Sequence, residues 1–344
     1  MSKIKPSKGA PYARILGVGG YRPVRVVPNE VILEHIDSSD EWIRSRSGIE
    51  TRHWANDEET VAAMSIEASG KAIADAGITV GQIGAVIVST VSHFKQTPAV
   101  ATEIADKLGT DKAAAFDISA GCAGFGYGLT LAKGMIVEGS AEHVLVIGVE
   151  RLSDLTDLED RATAFLFGDG AGAVVVGPSQ EPAIGPTVWG SEGDKSDTIR
   201  QTVPWDEYRV GGDVSGLPVD SAGNVKFPAI TQEGQAVFRW AVFEMAKVAQ
   251  QALDAAGISP TELDVFIPHQ ANERIIDSMV KTLKLPESVT VARDVRTTGN
   301  TSAASIPLAM ERLLETGEAK SGDTALVIGF GAGLVYAATV VTLP

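Results

Sequence analysis

Short apolar runs alternate along the chain with longer segments in which apolar residues recur at helical spacing. The runs "IGAVIVSTV" (83–91), "HVLVIGVE" (143–150) and "GAGAVVVG" (170–177) are typical of strands buried on both faces of a sheet. The stretches 60–77 and 98–109 are typical of helices that end at a glycine. Strands that alternate with helices predict an α/β fold.

The same pattern recurs in the second half of the chain. "KAIADAGITVGQIGAVIV" (71–88) resembles "QALDAAGISPTELDVFIP" (251–268) at an offset of 180 positions. "LVIG" at 145–148 recurs at 326–329. Features that recur in one order at nearly one spacing indicate a duplicated βα unit, although α/β proteins also share such signals by chance.

The duplication also relates two polar positions. "SAGCAG" around Cys122 and "TTGNTS" around Asn300 are 178 positions apart, so we expect these two residues to fall at corresponding places. The chain then divides into an N-terminal half over residues 1–180 and a C-terminal half over 181–344. We expect the two halves to pack around shared central helices.

Composition narrows the class of protein. The 344-residue chain has a net charge of −15 and 44% hydrophobic residues, as a soluble globular protein does. The negative charge argues against nucleic-acid binding, which needs a basic face. The N-terminus lacks a signal-peptide core, and no apolar stretch approaches the ~20 residues of a membrane helix. With one cysteine and no internal disulfide, we expect a cytoplasmic protein with no membrane association.

Three residues of complementary chemistry are predicted to lie at the carboxyl ends of strands, where α/β folds place their active sites. Cys122 lies between a strand and a helix, His269 ends the strand "LDVFIP", and Asn300 takes the place of Cys122 in the second half. A helix N-terminus stabilises a thiolate, histidine exchanges protons near neutral pH, and asparagine donates hydrogen bonds without titrating. The combination predicts acyl transfer to Cys122 followed by stabilisation of an enolate.

Each of these residues has a simpler interpretation when taken alone. A single cysteine is often a small buried hydrophobic residue, a histidine can be part of the core, and an asparagine can cap a helix. Their joint placement favours catalysis. No cluster of histidine and cysteine has metal-ligand spacing, so we expect no metal site.

Five motifs carry a resemblance to a known family over nearly the whole chain. In chain order they are "SSDEWIRSRSG", "DISAGCAGF", "FGDGAGA", "PHQAN" and "GNTSAAS". Together they resemble the β-ketoacyl-acyl-carrier-protein synthase III family, and in particular its actinobacterial members. The resemblance implies a thiolase-like, duplicated five-layer α/β/α/β/α fold and a homodimer.

The resemblance also implies the initiating condensation of type II fatty-acid synthesis. An acyl-CoA primer would load Cys122, and malonyl-acyl-carrier-protein would then lose CO2 and condense with the acyl group. His269 and Asn300 would hold the thioester carbonyl as the enolate forms. The CoA thioesters are substrates in this scheme, and no cofactor is expected.

The binding residues are likewise implied by the resemblance. Trp42 and Arg161 would sandwich the adenine of CoA, Arg46 would meet its phosphates, and Asn272 would bind the pantetheine arm. Thr97 lies in the loop that reaches the acyl pocket in this family. Because threonine is small, we expect the pocket to admit primers larger than acetyl, branched ones included.

A basic patch is expected to bind the acidic carrier protein. Its candidates flank the "PHQAN" strand on neighbouring helices and are Arg239, Arg274, Lys281 and Lys284. A solvated helix face explains each of these residues equally well when it is taken alone.

The alternatives within the same fold differ in their catalytic residues. Thiolases use two catalytic cysteines and elongating ketosynthases a second histidine, whereas this chain has one cysteine and Asn300. A non-catalytic relative would lack the nucleophile. Hydroxymethylglutaryl-CoA synthase and chalcone-synthase-like enzymes are nearer alternatives, which keep the cysteine nucleophile but differ in starter and extender. The main alternative is a synthase-III-like ketosynthase or acyltransferase of secondary metabolism, such as one that primes a polyketide. It would prefer an unusual primer or transfer it without condensation.

Overall fold

The fold is described from a computed structural model, which covers residues 4–208, 216–220 and 223–344. Its strands are β1 (Tyr12–Tyr21), β2 (Arg25–Pro28), β3 (Thr51–Trp54), β4 (Ile83–Ser89), β5 (Ala114–Ile118), β6 (His143–Arg151), β7 (Asp169–Ser179), β8 (Val188–Gly190), β9 (Ile199–Gln201), β10 (Ile230–Gln232), β11 (Val265–Pro268), β12 (Thr290–Val291), β13 (Thr324–Gly331) and β14 (Val335–Thr342). Its helices are α1 (Asn29–Leu33), α2 (Asp40–Ser47), α3 (Val61–Asp75), α4 (Val100–Leu108), α5 (Gly124–Glu138), α6 (Gly234–Trp240), α7 (Ala246–Ala256), α8 (Glu273–Leu283), α9 (Val295–Thr298) and α10 (Ser305–Thr316). A π-helical segment, Ala241–Met245, joins α6 to α7.

The two five-stranded sheets have the same strand arrangement. One has the order β1-β7-β6-β4-β5 and the other the order β8-β14-β13-β11-β12. In each sheet three neighbouring strands are parallel, and two antiparallel strands complete the opposite edge. This repetition confirms the duplicated fold.

The helices form three layers around the two sheets. Helices α5 and α10 lie in the middle, because α5 contacts β6 and β13 while α10 contacts β7 and β11. Helices α3 and α4 cover the outer face of the first sheet, and α7 and α8 pack on the second. The arrangement is the five-layer α/β/α/β/α fold that the family resemblance implies.

Helix α5 is in close contact with both sheets. A Cβ atom at Gly126 would lie 2.8 Å from the Cβ of Ala337 in β14, and one at Gly128 would lie 2.8 Å from Cγ1 of Val146 in β6. The largest core cluster contains residues of both halves, including Phe125, Val146 and Ile267. The halves therefore share one core around the central helices. The predicted boundary between residues 180 and 181 falls just after β7, and the division into two domains stays a prediction.

Most predicted elements are confirmed within a few residues, with one small difference. The runs beginning at residues 83, 143 and 170 form β4, β6 and β7. Helix α2 begins after Ser39, whose side chain accepts a hydrogen bond from the main-chain N–H of Trp42. Helix α4 begins at Val100, two residues after the start of the predicted stretch 98–109.

The predicted correspondence between Cys122 and Asn300 is wrong. The 3-10 turns Gly121–Ala123 and Ser302–Ala304 precede the two central helices, and both begin at a residue with φ of 47°. This match places Ser302 opposite Gly121 and Ala303 opposite Cys122. Asn300 does not end a strand either, because it follows the short helix α9 and pairs with Phe167 in an isolated bridge.

Candidate active site

The three predicted catalytic residues line one cavity. Cys122, His269 and Asn300 all contribute to its wall, and its volume is about 530 Å³. Aromatic side chains, among them Trp205 and Phe330, form other parts of the wall. The nucleophile, from the N-terminal half, thus faces polar residues supplied by the C-terminal half.

Cys122 is the middle residue of the turn that leads into α5. Burial raises the pKa of its thiol to about 12; a hydrogen bond with Ser302 acts in the opposite direction, and the charge of Glu150 adds to the increase. The N-terminus of α5 favours an anion there. Because the raised pKa favours the protonated thiol, attack of Cys122 on a thioester requires a group that accepts the thiol proton.

His269 follows β11 and is 2% exposed. Its Nδ1 lies 2.7 Å from the Oγ of Ser305 in α10, and its ring packs edge-on against Phe330. The Ser305 hydroxyl accepts from the main-chain N–H of Gln270 at 3.4 Å, so we assign it as the donor to Nδ1 and place the ring hydrogen on Nε2. Burial lowers the pKa of His269 to about 3, so the imidazole is neutral at physiological pH.

Asn300 is held by main-chain contacts on both sides. Its N–H donates to the carbonyl of Leu166 at 2.8 Å, and its carbonyl accepts from Gly168 at 3.0 Å. Its Oδ1 accepts from the N–H of Ser302 at 2.9 Å. Because the amide oxygen is occupied, the NH2 group is the part of this side chain that is left for a ligand in the cavity.

The "FGAG" segment closes the site from the other half. A Cβ at Gly331 would lie 2.9 Å from the Cβ, N and Sγ atoms of Cys122, so this position leaves no room for a side chain. Ala332 also lines the cavity, and its main-chain nitrogen lies beside Gly121. The main-chain nitrogens of Cys122 and Ala332 therefore both lie at the contact between these two segments.

The predicted CoA-binding residues form one cluster outside the cavity wall. The guanidinium of Arg161 lies 4.7 Å from the ring centroid of Trp42, and that of Arg46 lies 6.0 Å from it. The Nδ2 of Asn272 donates to the carbonyl of Arg46 at 2.9 Å. Ala271, next to Asn272, lines the cavity, so the cluster adjoins the cavity.

Thr97 is placed differently from the other predicted binding residues. It is exposed and does not line the cavity, whereas the preceding residues His93, Phe94, Lys95 and Gln96 do. In the isolated chain this loop therefore contributes to the cavity through residues on the N-terminal side of Thr97.

The four predicted basic residues are exposed on one side of the molecule's second half. Arg239 is on α6, Arg274 and Lys281 are on α8, and Lys284 caps the end of α8. Arg274 lies over the ring of Phe238, 4.9 Å from its centroid, which links the two helices. None of the four pairs with a carboxylate in the part of the chain that the structure describes.

Sequence reasoning missed Glu150, a fully buried acid at the end of β6. Its Oε2 accepts from Ser92 Oγ at 2.6 Å, from Val91 N–H at 3.1 Å and from Thr90 Oγ1 at 3.3 Å. Burial raises its pKa to about 7. A glutamate at the end of the otherwise apolar run "HVLVIGVE" is the signal that could have identified it.

Among residues 4–208, 216–220 and 223–344, no group of histidine, cysteine or acidic side chains is arranged to hold a metal ion. No helix in these ranges is both long enough and apolar enough to span a membrane.

Comparison with known proteins identifies the family. Residues 116–193 match the model of 3-oxoacyl-[acyl-carrier-protein (ACP)] synthase III, and residues 253–343 match that of its C terminal part. The chain is 90% identical to "Beta-ketoacyl-[acyl-carrier-protein] synthase III 1" of Streptomyces coelicolor over 344 residues, which is 100% of both proteins.

Solved structures agree with the sequence comparison. The priming β-ketosynthase of the R1128 polyketide pathway matches with a TM-score of 0.93 and 44% identity, over 100% of this chain and 99% of that one. The 3-oxoacyl-[acyl-carrier-protein] synthase III of Aquifex aeolicus matches with a TM-score of 0.84 and 36% identity, over 96% and 99%. The fold is that of a thiolase-like condensing enzyme. The chain belongs to the β-ketoacyl-acyl-carrier-protein synthase III family of acyltransferases.

Proposed function

We propose that Cys122 accepts the acyl group of an acyl-CoA primer and that the chain then condenses it with malonyl-acyl-carrier-protein. The products are a 3-oxoacyl-carrier protein, CO2 and CoA, and the reaction initiates fatty-acid synthesis. The observation that carries this proposal is that Cys122, His269 and Asn300 line one cavity beside the cluster of Trp42 and Arg161. Attack by Cys122 on the primer thioester forms the acyl-enzyme and releases CoA.

The neutral state of His269 suits the second half-reaction. Loss of CO2 from the malonyl thioester places negative charge on the thioester oxygen. The Nε2–H of His269 and the NH2 group of Asn300 are neutral donors for that charge, and neither residue needs to change protonation state. The resulting carbanion attacks the acyl-cysteine carbonyl, forms the new carbon–carbon bond and expels the Cys122 thiolate.

Substrate delivery is assigned to the surface around the cavity. Trp42, Arg161, Arg46 and Asn272 bind CoA, and separation of the stacked Trp42 and Arg161 side chains makes room for the adenine ring. The exposed cations Arg239, Arg274, Lys281 and Lys284 bind the acidic carrier protein. The chain needs no cofactor and acts as a cytoplasmic homodimer; light scattering of the purified protein tests the dimer.

Primers larger than acetyl are proposed as substrates. The apolar side chains in the wall of the cavity at Cys122, among them Leu152 and Phe330, are compatible with an alkyl primer. The small side chain of Thr97 is consistent with such primers if the loop reaches an acyl pocket, as it does in the family. Steady-state rates with acetyl-, isobutyryl- and longer acyl-CoA test the point, and a strong preference for acetyl-CoA would contradict it.

Mass spectrometry of the intact protein tests acyl transfer most directly. We expect incubation with a mixture of acyl-CoAs to add one acyl group to the chain, at Cys122. Cys122→Ser is the matched control, since it keeps the shape of the turn but has a much weaker nucleophile. Stable acylation of the control to the wild-type extent would contradict the assignment of the nucleophile.

The structural match to a priming polyketide ketosynthase favours one alternative, a priming enzyme of secondary metabolism. Both proposals predict acylation of Cys122, so the carrier protein distinguishes them. Condensation with malonylated fatty-acid carrier protein supports fatty-acid initiation. Condensation only with a polyketide carrier protein, or transfer without condensation, supports the alternative.

A further inference from the structure

Glu150 is a buried acid that the proposed mechanism does not use. Its side chain is fully buried, and only one of its carboxylate oxygens is engaged among the described residues: Oε2 accepts three hydrogen bonds from the loop after β4. Oε1 is buried without a hydrogen-bond partner among the described residues. An unpartnered buried carboxylate oxygen costs free energy, so its retention in this position calls for a reason.

The duplication places Glu150 beside the active site. Glu150 in β6 corresponds to Gly331 in β13, by the same offset of 181 that relates "LVIG" at 145–148 to 326–329. In the second half, Gly331 packs on the turn that carries Cys122. In the first half, β6 packs on the equivalent turn at Ser302–Ala304, where a Cβ at Gly148 would lie 2.1 Å from the carbonyl oxygen of Ala303.

Ser302 stands between Glu150 and Cys122. Its hydroxyl is near enough to the Glu150 carboxylate and to the Cys122 thiol to lower the pKa of both groups, and Ser302 lines the cavity together with Cys122. Oε1 of Glu150 has no hydrogen bond among the described residues in the resting chain and is left to accept one. Ser302 has φ of 47°, a left-handed conformation that is unfavourable for a non-glycine residue. The strained backbone keeps a hydroxyl where the equivalent Gly121 has none.

We propose that Glu150 takes the thiol proton of Cys122 through the hydroxyl of Ser302 when Cys122 is acylated, and returns it when the acyl group leaves. This inference rests on the proposed acylation of Cys122. In the first step the S–H bond of Cys122 breaks, Ser302 accepts that proton and passes its own to Glu150, and the sulfur bonds to the acyl carbon. CoA leaves as a thiolate and takes a proton from solvent.

The second step reverses the transfer. The carbanion formed by loss of CO2 attacks the acyl carbon, and the bond from that carbon to the Cys122 sulfur breaks. The released thiolate takes a proton from Ser302, which is reprotonated by Glu150. The cycle ends with a neutral thiol and a carboxylate, as it began. Glu150 therefore holds the thiol proton for the lifetime of the acyl-enzyme, and His269 remains a neutral donor throughout.

Few other groups near Glu150 can titrate. The loop after β4 presents Thr90, Ser92 and a main-chain N–H, and the facing turns present Ser302 and Cys122. The neighbouring residues along the paired strands, Arg151 and Asp169, alternate to the opposite face of the sheet. Arg151 is engaged with Asp154, and Asp169 with Ser153 and the N–H of Ala55.

The test is the rate of Cys122 acylation in Glu150→Gln, which keeps the shape of the side chain but accepts no proton at neutral pH. We expect acylation by acyl-CoA to slow by about 10–100-fold with an unchanged KM, because Glu150 does not contact CoA. Ser302→Ala should slow it similarly, and the double variant should be no slower than either single one. Glu59→Gln, the same change at another buried, hydrogen-bonded glutamate, should acylate at the wild-type rate.

Two further readouts separate proton transfer from a purely structural role. Wild-type acylation should slow as the pH falls through about 7, where Glu150 becomes protonated, and Glu150→Gln should lack this dependence. Decarboxylation of malonyl-carrier protein, which needs His269 and Asn300, should stay within about twofold of wild type in the variant.

These experiments distinguish an error in the role of Glu150 from an error in the proposed function. Wild-type acylation rates in Glu150→Gln, or equal loss of acylation and decarboxylation, would overturn the role of Glu150 and leave the nucleophile assignment intact. A wild-type protein that no acyl-CoA acylates would overturn the proposed function, and this inference with it.

Discussion

The turns that begin the two central helices have one backbone shape and two different chemistries. Both start at φ of 47° and both lead from a 3-10 turn into a long helix. The first carries Cys122 and begins at glycine, for which the left-handed conformation is inexpensive. The second begins at Ser302, for which it is not. The same turn therefore occurs in both halves, and only the first one carries a cysteine.

The strands beside the two turns show the same division. Ser89 at the end of β4 packs on Gly124, the first residue of α5: a Cβ at Gly124 would lie 1.7 Å from the Ser89 Oγ. At the equivalent positions of the second half, His269 follows β11 and contacts Ser305, the first residue of α10. In the proposed mechanism the N-terminal half contributes the nucleophile Cys122, and the C-terminal half contributes His269 and Asn300 as donors for the enolate. The three residues line one cavity, so the mechanism uses both halves.

The largest effect on activity is expected from Cys122→Ala, which removes the thiol from the first turn and leaves the second turn unchanged. Acyl transfer and condensation should be lost completely, because no other thiol exists in the chain. Decarboxylation of malonyl-carrier protein should continue, since His269 and Asn300 are unchanged. Release of CO2 and acylation, measured on the same protein, check both halves of the prediction. Loss of CO2 release would show that the two turns do not divide the chemistry in this way.

The next effect concerns the contact between the halves. In Gly331→Ala the new Cβ would lie 2.9 Å from the sulfur, Cβ and nitrogen of Cys122, so the nucleophile must move. A displacement of this kind reduces acylation by about 10²-fold.

The control is Gly134→Ala on the exposed side of α5, where an added Cβ meets nothing within 4 Å. It should leave activity unchanged and stabilise the fold by about 0.5–1 kcal/mol. Wild-type acylation in Gly331→Ala would contradict the close packing.

The comparison also shows what the sequence could and could not predict. Strand runs, the duplication and the three catalytic candidates were readable because each is a local signal, and the structure brings all three candidates to one cavity. The correspondence of the two turns could not be predicted from the sequence. Helix α5 has 15 residues and α10 has 12, so an alignment of the two halves needs a gap, and that gap can be placed on either side of the turn. Ser305 and Glu150 were missed because their partners are distant in sequence: His269 lies 36 positions from Ser305, and Ser92 lies 58 from Glu150.

The third prediction concerns the burial of His269. Burial lowers the pKa of this imidazole, whereas it raises the pKa of the Cys122 thiol. The pKa of His269 is lowered to about 3 from 6.5, so protonation favours the unfolded chain. Its contribution to stability is complete above pH 6.5 and is lost as the pH falls from 6.5 towards about 3. Between about pH 7.5 and about pH 5, wild type should lose about 2 kcal/mol relative to His269→Gln.

Urea unfolding of both proteins at several pH values measures this difference. The raised pKa values of Glu150 and Asp169 act in the opposite direction, stabilising the fold as pH falls, but both groups are present in both proteins and cancel. A difference in the free energy of unfolding that does not change with pH would mean that His269 is not buried as a neutral ring.

The smallest effect is expected where the two halves differ by a single hydroxyl. Ser305→Ala gives α10 a first residue that cannot hydrogen-bond His269, much as Gly124 cannot bond Ser89 through a side chain in the first half. Without the donor at Nδ1, the ring can adopt either tautomer, and Nε2 is a donor for only part of the time. Decarboxylation should slow by about tenfold, a loss typical of one neutral hydrogen bond. Acylation should be unchanged, because the thiol does not use the imidazole.

Imidazole nitrogen shifts in NMR spectra should report Nε2–H alone in wild type and a mixture in the variant. Identical spectra in the two proteins would mean that Ser305 only packs against the ring and does not orient it.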